Sequence, residues 1–110
     1  MLYVLYRAIK RQRGSLGDFW SDFALGENPQ LPQLRDTIMW TGISMFDDQA
    51  KAVNFAKRYS QGRFVAELKI DTDHDDVVVA KTGMDPSHYS VMGTPATLRS
   101  LISGKPVPII

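Results

Sequence analysis

Cysteine is absent from this 110-residue chain, which removes disulfides, thiolate metal sites and cysteine nucleophiles together. Glutamate is scarce: Glu27 and Glu67 are the only two. Histidine is limited to two residues, His74 and His88, so imidazole acid–base chemistry has two places to occur. No apolar run approaches the ~18–20 residues needed to span a bilayer. Neither charge dominates, because thirteen Lys and Arg against twelve Asp and Glu leave a formal +1. That balance excludes a uniformly basic nucleic-acid coat, though not a local patch. Neither a strand–GxGxxG–helix nor a GxxxxGK[ST] segment occurs, so the usual dinucleotide and P-loop cradles are missing. The opening MLYVLYR is apolar first and basic afterwards, the reverse of a secretory leader, and the expected location is cytoplasmic without a membrane partner.

What is present is ordinary globular composition, 44% hydrophobic and 23% charged, sized for one domain over residues 1–110. LYVLYRAI (2–9) is aromatic and β-branched and reads as a central strand. Ser15 to Asp18 has the capping-box pattern, and Leu16, Phe19, Trp20, Phe23 and Ala24 follow at helical spacing until Gly26. A loop with Pro29 and Pro32 leads to a strand over Thr37 to Ile43. Ser44 to Asp47 repeats the capping-box pattern and predicts a helix running to about Tyr59, with Phe46, Ala50, Val53 and Ala56 on its apolar side and Ala52, Phe55 and Tyr59 widening it.

RFVAELKI (63–70) alternates as a half-buried strand, with Arg63, Val65, Glu67 and Lys69 on one face. Short strands at Val77–Lys81 and Tyr89–Met92 flank a Gly83–Ser87 turn. Thr94-Pro95 reads as N-cap and first residue of a last helix that includes Ile102 and stops at Gly104. The two prolines of the tail 105–110 exclude a helix there, leaving open whether it packs. The order β-α-β-α-β-β-β-α predicts an α+β domain, with a mixed or antiparallel sheet of about five strands and three helices.

Several side-chain groups carry candidate chemistry. The acidic turn Asp71–Asp76 with His74 lacks the Gly and terminal Glu of a calcium loop and is read as a solvated hairpin, so no metal is expected. Arg7, Lys10, Arg11 and Arg13 cluster after the first strand and could meet nucleic-acid phosphates, with Tyr6 or Trp20 for stacking. Trp20 and Trp40 are candidate anchors for a protein partner. His88 leaves a turn at a strand start, where imidazole can act as acid or base. Glu67 is an exposed-face residue unless a helix or ligand covers it. Thr41 and Ser44 bring hydroxyls to a predicted strand-to-helix corner that favours anions.

Taken together, LYRAI, WTGISMF and AVNFA resemble the opening of compact ADP-ribosyltransferase-like domains, over residues 2–8 and 40–56. The resemblance implies NAD as cofactor, with Arg7 on its phosphates or ribose, Thr41 and Ser44 on the nicotinamide side, and Tyr6 or Trp40 as stacking surfaces. Such domains commonly use a late-strand glutamate in nicotinamide loss. No glutamate follows Glu67 here, so the resemblance implies Glu67 or His88 in the catalytic role. GISMFDDQAKAVNFAKRY and HYSVMGTP also resemble segments of small bacterial proteins. The alternatives to an NAD-binding domain are a non-catalytic protein-interaction module and a small nucleic-acid binder.

Overall fold

Strand propensity and antiparallel register organise the molecule around β1, Leu2–Ile9, which lies inside the sheet with a strand paired on each side. A computed structural model describes residues 1–12, 14–19, 21, 41–59 and 62–109. Its other strands are β2 (Ile43–Phe46), β3 (Phe64–Asp71), β4 (Val78–Lys81), β5 (His88–Met92) and β6 (Ile102–Pro108). They form one sheet in the order β4-β5-β2-β1-β3-β6, with every pairing antiparallel. Two α-helices are described, α1 (Gln49–Tyr59) and α2 (Pro95–Ser100), with a 3-10 turn at Leu16–Phe19. The α+β expectation therefore holds, with six strands instead of about five and two described α-helices instead of three.

The two sheet faces are covered differently. Alternation along β1 sends Leu5 and Ile9 to one side, where they join Ile43, Met45, Leu68, Ile70 and Val91 from the other strands. Phe19 of the 3-10 turn and Leu98 of α2 close this larger core. On the opposite face α1 packs over a smaller cluster of Phe46, Ala52 and Val65, flanked by Tyr6, Val53, Phe55 and Ile109. Ala52 and Ala56, four residues apart, are the buried residues of α1. Their small side chains let the helix backbone approach the sheet closely. Tyr59, expected on the apolar side, is 52% exposed, and Ala50 is exposed too.

The structure corrects the second helix start. Ser44 to Phe46 is strand, not cap, and Asp48 holds the helix N-terminus instead. Asp48 Oδ1 accepts from the amides of Ala50 at 2.8 Å and Lys51 at 3.3 Å, the geometry of an N-cap aspartate. The β-branched and aromatic run ISMF, partnered on both sides, outweighs a capping pattern that only the first turn rewards.

The last helix is also shorter than its apolar spacing suggests. Thr94 caps it, with its hydroxyl accepting from the Thr97 amide at 3.2 Å and Pro95 opening the first turn, as expected. The helix ends at Ser100, and Ile102 and Gly104 belong to β6. The tail thus pairs with β3, and the Ile109 amide donates to the Arg63 carbonyl at 2.8 Å. Gly62 has φ +88, and a Cβ there would stand 2.8 Å from the Ile9 carbonyl oxygen, so glycine is required where the chain turns beside β1.

Half of the 15–18 capping pattern forms: the Asp18 carboxylate reaches back to Ser15, while the Asp18 amide donates to the Ser15 carbonyl at 3.1 Å and not to its hydroxyl. Asp18 is 6% exposed, and its carboxylate accepts from the Lys10 amide at 2.9 Å and from the Ser15 amide at 2.8 Å and hydroxyl at 3.0 Å. It ties the 10–18 loop to the end of β1. The helix predicted beyond Phe19, the loop with Pro29 and Pro32, the strand over residues 37–40, Arg13, Glu27, Trp20 and Trp40 lie outside the described residues.

Candidate functional site

Ladder register decides which of the predicted site residues share a face. Tyr6 is opposite both Glu67 on β3 and Phe46 on β2, Phe46 is opposite His88 on β5, and Glu67 is opposite Ser103 on β6. The Thr82 amide continues the line by donating to the His88 carbonyl. Ser103, Glu67, Tyr6, Phe46, His88 and Thr82 therefore form one row across the sheet. Directly paired residues point to the same side, and the row belongs to the face that α1 covers.

Glu67 and His88, the two expected catalytic residues, occupy that row with β1 and β2 between them. Three strand spacings separate their backbones by about 14 Å. Arg7 follows Tyr6 in β1 and so faces the other way. Its Nη1 donates to the Ser44 carbonyl at 3.0 Å and its Nε to the Asp18 carbonyl at 3.2 Å. Arg7 meets Ser44 through the backbone only, and fastens the 3-10 turn to β2. Of the basic cluster, Lys10 and Arg11 are exposed. Thr41 lies half-buried just before β2.

At one end of the row a cleft of about 280 Å³ is lined by Tyr6, Gln49, Val65, Glu67, Ser103 and Lys105, among others. Its origin is a defect in the β3–β6 ladder. Val65 is paired with Val107 and Glu67 with Ser103, so Gly104, Lys105 and Pro106 stand opposite Ala66 alone. Gly104 has φ +71, a conformation glycine adopts without strain, and the bulge carries β6 away from β3 beside Glu67. The Tyr6 hydroxyl donates to Glu67 Oε2 over 3.4 Å, a long contact. Burial, then the Glu67 carboxylate, pushes the Tyr6 hydroxyl above its ordinary pKa, so it remains a proton donor.

Toward the other end lies a hydrogen-bonded chain. His88 Nδ1 is 3.0 Å from the Thr82 carbonyl and 3.2 Å from Thr82 Oγ1. A carbonyl only accepts, so in neutral imidazole the proton belongs on Nδ1 and the lone pair on Nε2. Nε2 is 3.0 Å from Ser44 Oγ, which then donates to it. Thr82 Oγ1 is also 2.7 Å from Ser90 Oγ, itself buried at 2% exposure. The Phe46 ring meets the imidazole edge-on at 5.3 Å between centroids and is backed by Phe55.

Sequence reasoning missed Thr82, Ser90, Gln49 and Lys105. The signal for Thr82 was the Gly83–Ser87 turn, whose hairpin register sets Thr82 across from His88. Lys105 needed the tail to be recognised as a strand. The acidic turn is used locally: Asp75 accepts from the Asp71 amide at 2.7 Å, and the Met1 ammonium lies 2.6 Å from Asp73. No protein-family model, curated protein or solved structure matches this chain.

Proposed function

We propose that this domain binds a nicotinamide dinucleotide such as NAD, in the manner of ADP-ribosyltransferase-like proteins, using the Tyr6–Glu67 cleft. The observation that carries the reading is the meeting of Tyr6 and Glu67, sixty-one residues apart, on the wall of one cleft. A cleft of about 280 Å³ sits at the low end of the ~300–1,000 Å³ usual for small-molecule sites, which suits a nucleoside-sized end of the ligand. In this reading the Tyr6 ring offers a face to nicotinamide, Glu67 accepts from ribose hydroxyls, and Lys105 meets a phosphate as a point charge. A carboxylate beside the ribose also stabilises positive charge as nicotinamide departs, which makes Glu67 the residue on which transfer or hydrolysis would depend. His88, three strands away, has no part in that step.

Thermal unfolding with and without millimolar NAD tests the proposal. Ligand at ~100 times its dissociation constant adds about 2.7 kcal/mol, which raises the midpoint of a domain this size by roughly ten degrees. The expected result is a clear rise in wild type that is lost in Glu67→Gln and reduced in Lys105→Ala. Absence of any rise with NAD, ADP-ribose or nicotinamide mononucleotide would overturn the reading. Where a rise occurs, release of nicotinamide separates turnover from binding alone.

A further inference from the structure

We propose that Ser44 is a nucleophile activated by His88, and that this pair attacks carboxylic esters at a place separate from the nucleotide cleft. The proposal does not rest on the nucleotide reading, because Ser44 and His88 belong to β2 and β5 whereas the cleft lies across β1, β3 and β6. Three observations carry it. Ser44 Oγ and His88 Nε2 are 3.0 Å apart, within the reach a base needs to remove the hydroxyl proton. The Thr82 carbonyl at 3.0 Å from Nδ1 selects the tautomer whose Nε2 lone pair faces that hydroxyl. Phe46 against the ring edge fixes the imidazole plane from the side.

Both Ser44 and His88 are half-buried. Among the described residues the orienting third group is a backbone carbonyl and a hydroxyl, not a carboxylate in hydrogen-bond contact. The Asp85 carboxylate is engaged elsewhere, by the Ser87 amide at 2.8 Å and by Lys51 Nζ at 3.5 Å. Without a carboxylate on Nδ1 the pair suits esters with good alcohol leaving groups rather than amides.

The step balances with water as the only co-reactant. Ser44 Oγ bonds to the acyl carbon while its proton passes to Nε2. The carbon–oxygen bond to the leaving alcohol then breaks, and Nε2 returns the proton to that oxygen. Water next gives a proton to Nε2 and its oxygen to the acyl carbon, the bond to Oγ breaks, and the proton regenerates the serine hydroxyl.

A fluorophosphonate probe, which loses fluoride to an activated serine hydroxyl, tests this on the whole chain, with the modified residue located by mass spectrometry. The expected adduct is on Ser44, forms at least tenfold faster than on any other serine, and disappears when the protein is unfolded in urea. His88→Gln, which keeps a polar side chain opposite Phe46, should slow labelling tenfold or more without changing NAD-dependent stabilisation. A wild-type measurement that needs no variant is the burst of p-nitrophenolate from p-nitrophenyl acetate with acetyl mass on Ser44. Labelling absent from Ser44, or equally fast in folded His88→Gln, would overturn the proposal, as would absence of acetyl-Ser44. Each of these results leaves the nucleotide reading to stand or fall on its own midpoint shift.

Discussion

The two faces of the sheet are built from the same strands yet serve opposite ends. One carries Leu5, Ile9, Met45, Leu68, Ile70 and Val91 beneath Phe19 and Leu98, all buried and all apolar. The other has Phe46 and Val65 buried beneath Ala52 of α1 and, around them, Tyr6, Glu67, Ser44, His88, Thr82 and the buried Ser90. Alternation along a strand is enough to separate the two populations. The first face supplies the burial that holds the strands in register. The second then displays hydrogen-bonding groups whose spacing that register sets. Stability and candidate chemistry are thus divided across one sheet thickness, and a substitution on one face should move one readout more than the other.

The strongest way to break this division is Leu68→Ala. Leu68 is fully buried on the apolar face, and truncation should cost about 3–4 kcal/mol and lower the unfolding midpoint by more than ~10 °C. Val65→Ala, one register position away from Ala66 and beneath α1, should cost about half as much. Equal losses in urea titrations of the two variants would mean the faces share the load. Next in size is Asp18→Asn, since the buried carboxylate accepts from two amides and a hydroxyl. Loss of charge from those bonds should cost about 2 kcal/mol, and hydrogen exchange at the Lys10 and Ser15 amides should rise. The smallest effect concerns the rim. The Ser87 amide, and secondarily Lys51, holds the Asp85 carboxyl below its ordinary range. A carboxylate with a depressed folded pKa contributes stability above its unfolded value and loses it as the pH falls through the folded value. Asp85→Asn should therefore lie slightly below wild type in midpoint at neutral pH and converge with it in acid.

Legibility in the sequence followed the same division. β1 was plain because its run is aromatic and β-branched, β3 because it alternates, and each covers eight residues. Thr94-Pro95 was plain because cap and proline act locally. Ser44 was misread because its local signal, a hydroxyl three residues before an acid, is one that a strand partnered on both edges can override. The tail was undecided because a strand containing prolines exists only where a bulge and an edge position spare the missing amides. As for the site, the residue types were legible and their grouping was not. Tyr6 with Glu67, and Ser44 with His88, depend on pairing between distant strands. Arg7 and Tyr6 are neighbours in sequence and point to opposite faces.

That topology bears on the order of events in folding. β4 and β5 can zip locally, since the chain between them is short. The contacts that assemble the polar face are remote, forty-four residues between Ser44 and His88 and sixty-one between Tyr6 and Glu67. Loops of that length close late, and sheets dominated by such pairings fold in milliseconds to seconds, not microseconds. β1 cannot be flanked on both sides until β2 and β3 have both been made, and β3 is not flanked until the tail docks. The groups of the polar face therefore come together late in folding, so a growing or misregistered chain carries the residues without their grouping.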